Sequence, residues 1–240
     1  MFFIDSVRAV RQHPSIKDNA ELQKEISAFI GQEAMHTQEH EGFNASAQKY
    51  GHDVATLDRY TDRAIQTTRK VFAYLGKPVG ITQEMVDLTA TTALEHFTAT
   101  IASQLLVNNH IQELMRDETM KTMWLWHAIE ENEHKAVAYD VFEVVFGKGI
   151  KSYLLRTGSL VAAMSILFCV QSYFVFRLLQ QDKQLNRAAL KDIYTYAYSP
   201  SKGIITGMAR EMIMYFKPGF HPNHHDTDAL LEKWKLKLRF

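Results

Sequence analysis

The sequence predicts an all-α protein, and three observations carry that prediction. Only five prolines and eleven glycines punctuate 240 residues. Apolar residues recur at helical rather than alternating spacing, and several candidate helices run past twenty residues between capping and breaking signals. With 46% apolar residues the chain can build a substantial core. One all-helical domain over residues 1–240 is expected, with a helical core over 1–147. An apolar helix and shorter helices fill 148–240.

The first helix is expected to run from the start to about Gln12, where His13-Pro14-Ser15 interrupts it. Asp18 is a candidate cap for the second, which continues to Lys49-Tyr50 and stops at Gly51. A third covers Val54 to Leu75 and ends at Gly76-Lys77-Pro78. The fourth extends from about Thr82 to Asn108-Asn109, and the fifth from about Asp117 without interruption to Gly147. Shorter helices are expected near Asn186 to Tyr198, Gly203 to Phe216 and Asp226 to Leu238. A proline-broken, histidine-rich turn, KPGFHPNHHD, separates the last two.

Between these lies Thr157 to Phe176, twenty residues without a charge, bracketed by Arg156 and Arg177. That length can span a bilayer. Thr157, Ser159, Ser165, Gln171 and Ser172 dilute it, however, and a helix that is apolar all round is equally suited to the inside of a bundle or a dimer interface. Burial is the preferred reading over membrane contact.

Lysine plus arginine equals aspartate plus glutamate at 27 each, which excludes a polyanion partner such as nucleic acid. Cys169 is the only cysteine, so an internal disulfide is excluded, and its apolar surroundings mark it as a small core residue. The opening MFFIDSVRAVRQ lacks a secretory signal. A cytoplasmic protein is expected, with membrane association through 157–176 as the alternative.

Chemistry concentrates in two copies of Glu-x-x-His, Glu33-Ala34-Met35-His36 and Glu131-Asn132-Glu133-His134, with Glu95 between them. Three residues are close to one helical turn, so each pair points a carboxylate and an imidazole the same way. Ile26, Phe29 and Ile30 share the stripe of Glu33, His36 and His40. Met120, Met123 and Trp124 precede His127, Glu131 and His134 on one face, and Leu88, Ala99, Ala102 and Leu106 share the face of Glu95. Carboxylates on faces meant for the core cost several kcal/mol each unless paired, protonated or bound to a cation. Coordination of two metal ions solves this for all of them at once. Counting residues from the turn between the fourth and fifth helices puts Glu95 level with position 131.

The segments FFIDSVRA, FIGQEAMHTQEHEGFN, ALEHF, WHAIEENEHKAVAYDVF and KPGFHP resemble, over essentially the whole chain, the bacterial family of predicted metal-dependent hydrolases. That family looks like a member of the ferritin-like dimetal proteins, which use a glutamate from each of two helices and Glu-x-x-His from each of two others. A ferritin-like bundle with additional C-terminal helices is therefore implied. A histidine one turn before the last Glu-x-x-His is similar to the ligand pattern of di-iron N-oxygenases acting on arylamines, where it supplies an extra ligand. Carried over, the resemblance makes Glu33, His36, Glu95, His127, Glu131 and His134 the metal ligands. In the family a Gly-Glu pair stands just upstream of the Phe-Phe that here follows Met1, and its glutamate would be the first-helix ligand. The expectation is a misplaced start, with Asp5 as the substitute otherwise. Truncation is preferred because Asp5 lies about seven residues, roughly 10 Å, from the level-matched position.

Of the remaining candidates, His40 is one turn beyond His36 and is read as an additional ligand or as a donor behind the ligands. His96 lies about 100° round the helix from Glu95, which suits a structural role. Glu130 is placed to orient a ligand or transfer a proton, while Glu39 and Glu133 point to solvent. Trp124, Trp126 and Tyr139 are candidates to line a cavity, and His221, His224 and His225 are read as a packed turn.

Imidazole and carboxylate donors without thiolates suit iron, with manganese and zinc as alternatives. The resulting expectation is an O2-activating oxidase or oxygenase on a small organic substrate, drawing on an electron donor. A hydrolase using metal-activated water is the alternative, and a non-catalytic metal-binding protein the third reading.

Overall fold

The computed structural model describes residues 2–239, and the described residues form helices joined by turns, as the composition requires. The helices are α1 (Phe2–Val10), α2 (Ala20–Lys49), α3 (Val54–Gly76), α4 (Gln83–Val107), α5 (Asn109–Leu114), α6 (Glu118–Glu133), α7 (Val137–Phe146), α8 (Ile150–Gln181), α9 (Arg187–Tyr198), α10 (Ile204–Met214) and α11 (Asp228–Leu238). They group into two compact units: Met1–Ala93 with Asp140–Leu185, and Leu94–Tyr139 with Asn186–Phe240.

In the first unit, α1 packs on α2 and α2 on α3. Asn19, not Asp18, caps α2: its Oδ1 accepts from Leu22 N at 3.1 Å. The chain leaves α2 through Gly51 at φ +93°, a left-handed conformation that costs glycine least. The end of α1 is clamped to α2 by Arg11, which donates to Gln23 Oε1 at 2.7 Å and Ser27 Oγ at 2.6 Å. Ser6 and Thr91 hydroxyls meet at 2.7 Å, tying α1 to α4. Arg69 of α3 grips Asp87 of α4 through two bonds of 2.6 and 2.5 Å, and the bond raises the guanidinium pKa above its ordinary value.

The second unit is built on a core of Ala102 and Leu106 from α4, Leu125, Ala128 and Ile129 from α6, and Leu231 and Trp234 from α11. The indole of Trp234 donates to Leu106 O at 2.9 Å, where the last turn of α4 has run out of helical partners. Gln112 closes the same end, donating to Leu105 O at 2.8 Å. Glu133 of α6 pairs with Lys235 of α11.

Three expectations are corrected here. The fifth helix does not run unbroken to Gly147: α6 stops at Glu133, and α7 begins at Val137. At the break, Lys135 turns inward and donates to His225 O at 2.6 Å and Thr227 Oγ1 at 2.9 Å. Burial lowers the pKa of this lysine, against the pull of Asp228, Asp226 and Glu211. The apolar helix is not buried inside its unit, since only 6% of its most apolar window is buried. Cys169 on that helix is accordingly exposed rather than a core residue.

Trp234 combines aromatic burial with a bond to an otherwise unfinished helix end. Trp234→Ala is expected to destabilise the protein by about 3–5 kcal/mol, read as a lower urea midpoint at unchanged slope.

Candidate metal centre

Helix α2 buries a regular stripe of Leu22, Ile26, Phe29, Glu33 and His36, spaced alternately by four and three residues. The stripe is apolar for its first three members and polar for its last two. Glu33 Oε1 lies 3.2 Å from His36 Nδ1, and both side chains are largely buried. The stripe ends there: His40 is exposed, so it does not continue the buried face as its spacing predicts. Asp5 is also exposed and stands 3.7 Å from Arg8, an ion-pair partner on its own helix.

The second unit carries the other candidates. Glu95 of α4 is 1% exposed, Glu131 of α6 is 4% exposed, and His134 is 2% exposed. His134 Nε2 is 3.4 Å from Glu95 Oε2, and His127 Nε2 is 3.3 Å from Glu131 Oε1. Residue counting places Glu95 level with 131; its carboxylate approaches His134, most of a turn further on. His134 is the C-cap of α6, its N–H bonded to Glu130 O at 3.2 Å. The last Glu-x-x-His therefore straddles a helix end, which frees the imidazole from strict helical direction.

These spacings test whether the residues fit a metal. A charge-assisted hydrogen bond between imidazolium and carboxylate runs about 2.7–2.9 Å. Two donors each about 2.1 Å from one ion, at roughly 100–110°, stand about 3.2–3.4 Å apart. All three imidazole–carboxylate pairs, at 3.2, 3.3 and 3.4 Å, have the spacing of adjacent ligands. The donor set is two nitrogens and two carboxylates in the second unit, and one of each on α2. The cluster of Glu and His side chains can bind metal.

The surroundings hold these side chains in place. Thr92 and Ser103 on α4 donate their hydroxyls to the backbone oxygens of Leu88 and Ala99, at 2.8 and 2.9 Å. Thr91 and Thr92 are consequently buried without loss of hydrogen bonding, although they make this face less apolar by composition. The single Ser103 proton is shared between Ala99 O and Asn132 Oδ1, the latter at 2.7 Å, and Asn132 Nδ2 donates to Ala128 O at 2.9 Å. Asn132, next to Glu131, thus joins α6 to α4. Its polarity inside a buried helix face was the available signal, masked by the two glutamates beside it.

Several neighbours have structural rather than site roles. His96 donates to Glu211 O at 3.1 Å and stacks on Tyr215 at 4.7 Å. Tyr139 donates to the Phe220 carbonyl and packs edge-on against Phe220 and His221. His221, His224 and Asn223 close a single tight turn through ring nitrogens that accept from backbone N–H groups at 3.2 Å. His225 sits 3.3 Å from Glu211 Oε2. Trp124 meets His127 edge to face at 5.6 Å. Glu130 is half-buried, whereas Glu39 and Glu133 are exposed.

No curated protein and no solved structure matches the chain. A family model described as predicted metal-dependent hydrolase matches residues 1–226, and the chain belongs to that family.

Proposed function

We propose that this protein is a dimetal carboxylate enzyme that uses O2 to oxidise a small organic substrate. Glu131 and His134 in one unit, and Glu33 and His36 in the other, each offer a carboxylate and an imidazole able to ligate a metal ion. Glu95 and His127 add a carboxylate and an imidazole for a second. The observation that carries the reading is the donor chemistry: oxygen and nitrogen ligands in a buried cluster, with no thiolate, which suits iron.

A bound iron pair would supply the electrons that O2 needs. The chain's own residues do the rest. Burial of Glu95, Glu131 and His134 keeps bulk water from the cluster. Half-buried Glu130, one residue from Glu131, is placed to hold or pass a proton. Trp124, edge-on to His127, restricts how that ring can turn.

Hydrolysis by metal-activated water is the second reading, and the family's description favours it. Anaerobic loading with ferrous iron, followed by admission of O2 in the presence of a reductant, separates the two. Oxygen uptake above that of free iron is expected, without hydrolysis of generic esters. An O2-inert iron form, together with a zinc or manganese form that cleaves esters, would transfer the assignment to hydrolysis.

The ligand assignment has its own test. Glu131→Ala is expected to lose bound metal, measured by elemental analysis after desalting, while Glu133→Ala keeps it. Equal metal in both variants would remove Glu131 from the ligand set. Asn132→Ala cuts the tie between α6 and α4 beside a ligand, and metal affinity is expected to fall about 10–100-fold in chelator competition.

A further inference from the structure

Helix α8 presents a surface that the metal cluster does not use. None of residues 161–181 is buried, although the most apolar window of the helix has a mean hydropathy of 1.9. Most of its exposed positions lie on one stripe. Leu154, Val161 and Phe168 recur every seven residues, interleaved with Gly158, Ser165 and Ser172 at the same interval. Ile150 and Phe176 extend it at the ends. Lys151, Arg156 and Arg177 all fall off the stripe, between about 100° and 240° round the helix from Ile150, so the stripe carries no charge.

A membrane span is an unsuitable cover. Helix α3 runs antiparallel to α8 along its length. Asp53 N is 3.1 Å from Gln181 Oε1, Tyr60 meets Tyr173 at 6.1 Å, and Lys151 reaches the Gly80 carbonyl just beyond the end of α3 at 2.8 Å. Asp58, Arg59, Asp62 and Arg63 of α3 are exposed. A bilayer that took in α8 would have to take in these charges beside it.

We infer that a second copy of this chain covers the stripe, with α8 packed against α8 about a twofold axis. Five large side chains, Ile150, Leu154, Val161, Phe168 and Phe176, are each between two-fifths and four-fifths exposed. They leave on the order of 600 Å² of apolar surface per chain. Doubled across a twofold, that reaches the roughly 1,200 Å² at which specific interfaces begin. The pattern is self-complementary, because large residues at one heptad position can enter the gaps left by Gly158, Ser165 and Ser172 at the other. A Cβ added to Gly158 would meet nothing within 4 Å, so no packing inside the chain requires a glycine there. A mid-helix glycine costs about 1 kcal/mol relative to alanine, and close approach by another backbone gives it a use. An uncharged stripe also lets two identical faces meet without repulsion.

Sedimentation of the full chain in detergent-free buffer is expected to give twice the 27.6 kDa chain mass. Val161→Lys and Gly158→Leu are each expected to give the chain mass with unchanged helical circular dichroism. Gly158→Leu keeps the surface apolar, so it separates loss of fit from gain of charge. Cys169 flanks the stripe and provides a second readout: maleimide should label it more slowly in the wild type than in Val161→Lys. A wild-type monomer, a dimer that survives both substitutions, or a monomer that floats with phosphatidylglycerol vesicles would each overturn the inference, the last in favour of a lipid surface.

Discussion

Removing a carboxylate from water costs several kcal/mol unless a cation or dense hydrogen bonding replaces the solvent. Helices α4 and α6 nevertheless bury Glu95 and Glu131 to within a few per cent of full occlusion, with His134 beside them. An imidazole stands beside each of them, His127 Nε2 at 3.3 Å from Glu131 and His134 Nε2 at 3.4 Å from Glu95. The buried cationic side chain of the same unit, Lys135, is turned instead to His225 O and Thr227. The imidazole spacing matches ligands that share an ion.

The rest of the second unit keeps this arrangement rigid. A ligand cluster works only if its helices cannot slide, and sliding is opposed at three levels. Trp234 and Leu231 fill the space against Leu106, Leu125 and Ile129. Ser103 and Asn132 add a directional bond between α4 and α6. Back-bonded hydroxyls at Thr92, Thr100 and Ser103 let α4 bring polar residues into its buried face without leaving donors unsatisfied. Apolar packing sets the distance between helices, and the hydrogen bonds set their register.

Much of this was legible in the sequence because helical periodicity is local. The stripe from Leu22 to His36, the end of α2 at Gly51, and the Asn108 and Asp117 boundaries around the fourth and fifth helices all follow from spacing and capping chemistry. What escaped was set by tertiary partners. The break after Glu133 has no proline or glycine to announce it; it accompanies an inward turn of Lys135 toward a loop some ninety residues away. His40 continues the stripe of Glu33 and His36 by count, but the helix has passed beyond what buries it. The apolar run after Arg156 is read as buried by composition, yet only 6% of its most apolar window is buried, because burial depends on which elements pack against it and composition does not specify them.

The number of donors bears on which metal chemistry the cluster suits. Glu33, Glu95 and Glu131 offer six carboxylate oxygens, and His36, His127 and His134 offer three metal-binding nitrogens. A catalytic zinc ion is served by three protein ligands and a water, so by count alone these six side chains could also serve two such ions. Iron and manganese accept five or six ligands and use carboxylates that bridge or bind through both oxygens. The edge-on contact of Trp124 keeps His127 turned toward Glu131, 3.3 Å away.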